Sequence, residues 1–154
     1  MRRSEHIIEL SRDHHVGLLF CWKIRQGINK NIAIDRMVAY VDYFWHQNLK
    51  THFEEEEKYL FVLEGDLKIQ KAIDEHVSIE KDINTILNDS VSIDSLNALA
   101  DSVDQHIRYE ERDLFPYLEQ TIPPSELEHI GKKIAEIHHK EKDDYSDEFW
   151  LKDK

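Results

Sequence analysis

Apolar residues recur along this chain at intervals of three and four, the period of a helix with one buried face. The first such run spans about Ser4 to Gln26, with Ile7, Leu10, Leu18 and Cys21 on one stripe and His14 in its middle. His15 lies about 100° further round. Gly27 and Asn29 to Asn31 read as a stop and a loop. The second run has Asp35 as N-cap and reaches about Leu63, with Val41, Trp45, Asn48 or Leu49, His52, Glu56, Tyr59 and Leu63 inward and Gly65 as terminator. Asp66 caps the third, on which Ile69, Ile73, His76, Ile83 and Leu87 recur and Glu80 follows His76 by one turn. Polar Asn88 to Ser92 ends it. Asp94 caps the fourth, marked by Leu96, Leu99, Val103, His106, Glu110, Leu114 and Tyr117, with Pro116 expected to kink or weaken its last turn.

Pro123-Pro124 is a firm stop, and a shorter amphipathic helix from about Ser125 to Lys140 carries Leu127, Ile130, Ile134 and Ile137. The charge run Lys140 to Asp144 reads as solvated surface, and the apolar Phe149-Trp150 tail is placed to dock back. Four long helices with short connections predict an all-α, up-down-up-down four-helix bundle with an extra short C-terminal helix. The expected organisation is a single domain over 1–154, with the bundle at about 4–120 and the C-terminal helix and tail at about 124–154.

The six candidates His14, His52, Glu56, His76, His106 and Glu110 change the picture, because they are polar groups on otherwise apolar stripes. His52-Phe-Glu-Glu-Glu-Glu-Lys-Tyr-Leu-Phe61 is matched by His106-Ile-Arg-Tyr-Glu-Glu-Arg-Asp-Leu-Phe115. Five identities, at the His, both Glu, the Leu and the Phe, hold at one offset, 106 − 52 = 54 residues. Two copies of a two-ligand helix predict one shared site. Imidazole with carboxylate, and no thiolate, is a ligand set for first-row metals and favours iron, with manganese or zinc as alternatives. Without a cation, burying the carboxylates would cost several kcal/mol each or force them to protonate. Two octahedral ions offer twelve positions. Two bridging glutamates and four histidines fill eight, which leaves an open site rather than a closed structural one.

Composition narrows the alternatives. Charged residues make up 34% of the chain and the net charge is −12, which disfavours nucleic acid and anionic membrane as partners. No run of about 20 apolar residues is present, and the N-terminus has no apolar core of a signal peptide. The single cysteine, Cys21, fits a reducing, cytoplasmic setting and reads as a small core residue.

On Arg12-Asp-His-His15, His52-Phe-x-x-Glu-Glu-x-x-Leu-Phe61, Glu75-His76 and His106-x-x-x-Glu-Glu-x-x-Leu-Phe-Pro116, the chain resembles the hemerythrin-like (HHE cation-binding) family. The resemblance spans about Ser4 to Tyr117. It implies two iron ions (Fe2+/Fe3+), oxo- or hydroxo-bridged, that bind O2, NO or a peroxide. Glu56 and Glu110 would bridge, and His52, His76, His106 and one N-terminal histidine would be terminal ligands. Helical phase favours His14 for that place, whereas the pattern Asp-x-His-x-x-Leu-Leu, similar to the first-helix motif of hemerythrins, favours His15; His14 is the reading adopted, with His15 the alternative. Oxygen-carrying hemerythrins have a histidine where this chain has Glu80, and an aspartate bridge five residues after the fourth-helix histidine where it has Glu110 at four. Glu80 is therefore an additional candidate ligand, and reversible oxygen carriage is not implied. Glu57 and Glu111 are placed to orient ligand histidines, while Glu54, Glu55, His6, His46, His129, His138 and His139 read as surface.

The resulting expectation is a small-ligand-binding diiron protein for sensing, storage or stress response, rather than a dedicated enzyme. One alternative is a redox enzyme or iron donor on the same scaffold, turning over peroxide or NO or repairing damaged iron centres. A second is a helical interaction module that binds no metal.

Overall fold

The computed structural model describes residues 3–151. Among these, the chain forms five helices and no strand. Helix α1 is Ile8–Asn29, α2 covers 34–60, α3 is Leu67–Asn88, α4 covers 93–121 and α5 is Pro124–Ile137. Each of the first four packs on the next and α4 returns to α1, which is the expected up-down-up-down ring. None of the helices is long and apolar enough to cross a membrane.

Several helix ends depart from the pattern-based expectation, each for a local reason. Helix α1 runs through Gly27, where a Cβ would meet Met37 Sδ at 2.7 Å and Phe149 Cε1 at 2.9 Å; the glycine admits packing and does not end the helix. The end comes at Asn31, in the left-handed region with φ 56°, where Ile32 N–H donates to Gly27 O at 2.9 Å and Asn31 N–H to Ile28 O at 3.2 Å. These two bonds are a Schellman closure with asparagine in the usual glycine place. Asp35 and Asp94 lie in first turns and are not caps. Ser92 caps α4 instead, through a reciprocal box with Ser95, whereas Asp66 caps α3 as expected by accepting from Lys68 and Ile69 N–H.

Helix α2 stops at Leu60, three residues early, because it is interrupted by π-helical turns at Trp45–Leu49 and Glu56–Leu60. Its last bond runs from Phe61 N–H to Glu56 O at 2.9 Å, and the left-handed Gly65 belongs to the following turn. A π turn holds about one residue more than an α turn. Four residues, rather than three, therefore separate inward positions, so Leu60 is fully buried and the expected Tyr59 and Leu63 are only half-buried. Helix α4 has the same turn at Glu110–Leu114. The turns begin 110 − 56 = 54 residues apart, so the sequence repeat is also a repeat of backbone geometry. Pro116 follows the second turn without ending the helix, which continues to Thr121. The Glu111 carbonyl in that turn accepts from the Arg3 guanidinium at 2.8 Å.

The core is in two parts. Phe20, Ile24, Phe44, Ile83, Leu99 and Val103 belong to a cluster at one end, joined by Phe149 and Trp150 from the tail. Ile7, Leu10, Leu60, Leu114, Phe115 and Leu118 belong to the other, closed by Leu127, Ile130 and Ile134 of α5. Helix α5 thus covers one end of the bundle, and Gly131 permits its contact with His6, where a Cβ would lie 2.9 Å from the His6 Cα. Beyond α5, Asp143 is no solvated residue. It accepts from Lys23 Nζ at 2.9 Å and from the Tyr40 hydroxyl, and Lys23 also lies 4.1 Å from the Trp150 ring centre.

Phe149→Ala is expected to cost about 3 kcal/mol, the range for truncating a buried aromatic, without loss of helix content. Urea unfolding followed by circular dichroism measures this; an unchanged midpoint would mean that the tail packs without stabilising the bundle.

Candidate metal centre

Between the two apolar clusters lies one polar layer. His14, His52, His76 and His106 are each at most 4% exposed, and Glu56 and Glu110 are fully buried. One ligand atom from each of His14, His52, Glu56 and Glu110 falls within a sphere of contacts no wider than 4.8 Å, and so it does for Glu56, His76, His106 and Glu110. Both groups contain both glutamates. The His14 Nε2 stands 2.9 Å from Glu110 Oε1, His52 Nε2 3.3 Å from Glu56 Oε2, and His76 Nε2 3.1 Å from both Glu56 Oε1 and His106 Nε2.

The Nδ1 atoms are arranged just as regularly, each donating to a carboxylate on the preceding helix of the ring. Asp13 of α1 accepts from His52 of α2 at 2.9 Å, and Glu57 of α2 from His76 of α3 at 2.7 Å. Glu75 of α3 accepts from His106 of α4 at 2.7 Å, and Glu111 of α4 from His14 of α1 at 3.0 Å. These outer bonds fix each ring with Nε2 inward, the usual support of a metal-ligating imidazole. Each outer carboxylate is the sequence neighbour of an inner residue: Asp13 of His14, Glu57 of Glu56, Glu75 of His76 and Glu111 of Glu110. The halves also match in their aromatic cover, with Phe61 at 5.9 Å from His76 and Phe115 at 5.2 Å from His14, ring centre to ring centre.

The electrostatics follow from this geometry. Burial opposes a charge on His14, but Glu110 and Glu111 more than offset it and raise its pKa to about 9. Burial likewise opposes, and Glu110, Glu56 and Glu57 raise, the pKa of His76 to about 11. His52 is lifted well above its ordinary value, against burial, by Glu56 and Asp13. Glu110 is held well below its own, against burial, by His106, His14 and His76. Even so, Glu56 Oε1 and Oε2, Glu110 Oε2 and His52 Nε2 are buried without a hydrogen bond, because the facing nitrogens lack the required alignment. Orphaned carboxylate oxygens and an orphaned imidazole nitrogen, sharing one dry layer, are the donor set that cations complete.

A model of the hemerythrin HHE cation-binding domain matches residues 6–118. The chain belongs to that family. No curated protein and no solved structure matches the chain. The family carries cation binding, and the HHE domain here contains the buried His and Glu groups that could hold the ion.

Of the residues picked out by sequence, the structure gathers His14, His52, Glu56, His76, His106 and Glu110 into this layer. It separates the two N-terminal candidates, since His15 is exposed. Glu80 is exposed and lies outside both groups. The buried stripe of α3 steps from His76 to Ile79 and Ile83, and this leaves Glu80 on the wall of a surface cleft of about 540 Å³ with Phe53 and His76. The expectation that Glu55 and His138 are surface residues is corrected. Glu55 is buried, and its Oε2 accepts from His138 Nδ1 at 2.7 Å. Sequence reasoning passed over Asp13 and Glu75 as partners of His52 and His106, although an acid directly before His14 and before His76 was the available signal.

In the metal-free chain His14, His52 and His76 keep protons that they release near pH 6.5 when unfolded. The folded state then binds more protons than the unfolded state above that pH. Their contribution is whole below about pH 6.5 and is lost as pH rises through about 9 for His14 and about 11 for His76. Metal-free protein should therefore melt lower at pH 9 than at pH 6.5 in thermal scans at fixed ionic strength. The metal-dependent gain in melting temperature should grow over the same interval, because cations need neutral imidazole.

Proposed function

We propose that this chain is a non-heme diiron protein of hemerythrin-like type that binds a small ligand, O2, NO or a peroxide, in sensing, storage or stress response in the cytoplasm. The observation that carries the reading is the sharing of Glu56 and Glu110 by two otherwise separate histidine pairs. His14 and His52 would hold one ion, His76 and His106 the other, and the glutamates would bridge. Two iron ions bound there would supply reversible redox chemistry and open coordination positions for a diatomic or peroxide ligand. The chain's part is to orient four imidazoles through Asp13, Glu57, Glu75 and Glu111 and to exclude water from the layer with Phe53, Phe61 and Phe115. Phe53 lies face to face with His76 at 3.8 Å between ring centres.

The exposed position of Glu80 favours a second reading, a redox enzyme or iron donor. With that carboxylate outside the layer, each ion would have two imidazoles and two shared carboxylates as protein ligands, which would leave exchangeable positions. Steady turnover of peroxide or NO, or transfer of iron to an acceptor, separates this reading from simple ligand binding.

Protein expressed and purified without oxygen or chelators should contain about two irons per chain, the occupancy of a dinuclear site. Air should then bring up near-ultraviolet charge-transfer absorption. Less than half an iron per chain under iron-replete conditions would overturn the proposal. The double variant His52→Ala, His106→Ala should lose metal and the metal-dependent rise in melting temperature.

A further inference from the structure

The two halves of the centre correspond residue for residue, and among their differences is the partner of the outer acid behind His52 and His106. His14, Asp13, His52 and Glu57 on α1 and α2 match His76, Glu75, His106 and Glu111 on α3 and α4. At Glu75 the oxygen not used by His106 is held by Lys71, an exposed residue one turn back on the same helix, at 2.7 Å. At Asp13 the corresponding oxygen faces His138, which follows α5 and lies 20 residues beyond the end of the family match at 118 (138 − 118 = 20).

His138 is built into this position. Its side chain is 5% exposed, its Nδ1 donates to buried Glu55 at 2.7 Å, and its Nε2 stands 3.2 Å from Asp13 Oδ1. The other oxygen of Asp13 accepts from His52 Nδ1 at 2.9 Å. Glu55, His138, Asp13 and His52 thus form one buried row from the C-terminal segment to an inner imidazole, hydrogen-bonded at Glu55–His138 and Asp13–His52 and joined between His138 and Asp13 by an ion-pair contact. Half-buried Glu141 completes the same junction, with a carboxylate oxygen within 4.8 Å of ligand atoms of Asp13 and His52. Both sides of His138 are anchored: Leu127, Ile130 and Ile134 of α5 lie in one apolar cluster, and Phe149 and Trp150 lie in the other.

We infer that His138 is a positioning residue for the His52 side of the metal centre, so that the segment beyond the family domain is a working part of the site. This rests on the dinuclear reading for its consequence but not for its geometry. Asp13 is buried and faces two imidazoles; with His138 removed, one of its oxygens loses the imidazole it faces and the carboxylate is free to rotate. His52 then loses its fixed ring orientation, while His106, held by Glu75 and Lys71, does not. The His52 and His106 sides of the centre are therefore supported differently, and the support of the His52 side comes from outside the bundle.

The test compares wild type with His138→Ala, His138→Gln and, as a neighbour control, His139→Ala, which alters an exposed residue. Side-chain 15N-resolved NMR of the metal-free proteins reads the chain directly. His138→Ala should shift or broaden the His52 Nδ1–H signal and leave that of His106 in place. His138→Gln, which keeps an N–H group facing Asp13, should restore most of the wild-type signal, and His139→Ala should change neither. In cobalt(II) titrations followed by visible absorption, His138→Ala should weaken one of two sites about tenfold, the scale for loss of a supporting partner. An unchanged His52 signal in His138→Ala overturns the inference, as does equal weakening of both sites. If wild type takes up no cobalt or iron, the dinuclear reading fails while the NMR comparison still decides the role of His138. Should His138→Ala not fold, His138→Gln carries the test, and failure of both to fold would assign His138 to general stability instead.

Discussion

Six ionisable side chains in a water-poor layer of a helical bundle set the terms for everything around them. Ionised groups in such a place are expensive unless paired and hydrogen-bonded. This chain meets that requirement twice, with two carboxylates inside the layer and four more outside it. Each imidazole faces an inner glutamate and donates to an outer acid from the preceding helix. Going round the bundle, Asp13, Glu57, Glu75 and Glu111 link α1 to α2, α2 to α3, α3 to α4 and α4 to α1. The helices are thereby registered against one another by polar contacts, at the level where apolar packing alone would tolerate sliding. Within the layer, both oxygens of Glu56, the Oε2 of Glu110 and the Nε2 of His52 remain unmet.

The backbone is adapted to the same end. Both bridging candidates open a π-helical turn, Glu56–Leu60 and Glu110–Leu114. A wider turn lets the residue after the glutamate, Glu57 or Glu111, turn toward the histidine of the next helix while the residue four further on remains in the core. Leu60 and Leu114 are both fully buried as a result. Thus a single local irregularity, used twice, serves both the inner and the outer layer of the site. The aromatic residue that ends each repeat then lies beside the histidine which its own outer acid holds, Phe61 beside His76 and Phe115 beside His14.

Much of this was legible before any coordinates. The three- and four-residue spacing of apolar positions predicted the four long helices and α5, and the departures at their ends come from features that periodicity does not carry. Asn31 replaces glycine in a Schellman closure, Ser92 outcompetes Asp94 because Ser95 can answer it, and π turns shift the phase of α2. The inner residues stood out because a polar group on an apolar stripe needs an explanation, and the 54-residue repeat supplied a common one. Helical phase also preferred His14 to its neighbour, the side on which the structure places it. Glu80 shows the weakness of the same argument. A one-turn spacing from His76 puts it near the stripe, yet α3 takes its next inward step three residues on, at Ile79, and Glu80 faces solvent.

By itself the sequence determined the helices, their order and the single layer at which the buried histidines and glutamates could meet, because those follow from short-range period and from the cost of burying charge. The tertiary structure alone decided who partners whom across that layer. Asp13 on His52, Glu75 on His106 and the reach of His138 to Asp13 join residues 31 to 125 positions apart (106 − 75 = 31; 138 − 13 = 125). No local pattern encodes such pairs. They depend on the axial register and rotation of packed helices, and on where an apolar tail, Phe149-Trp150, finds its place in the core.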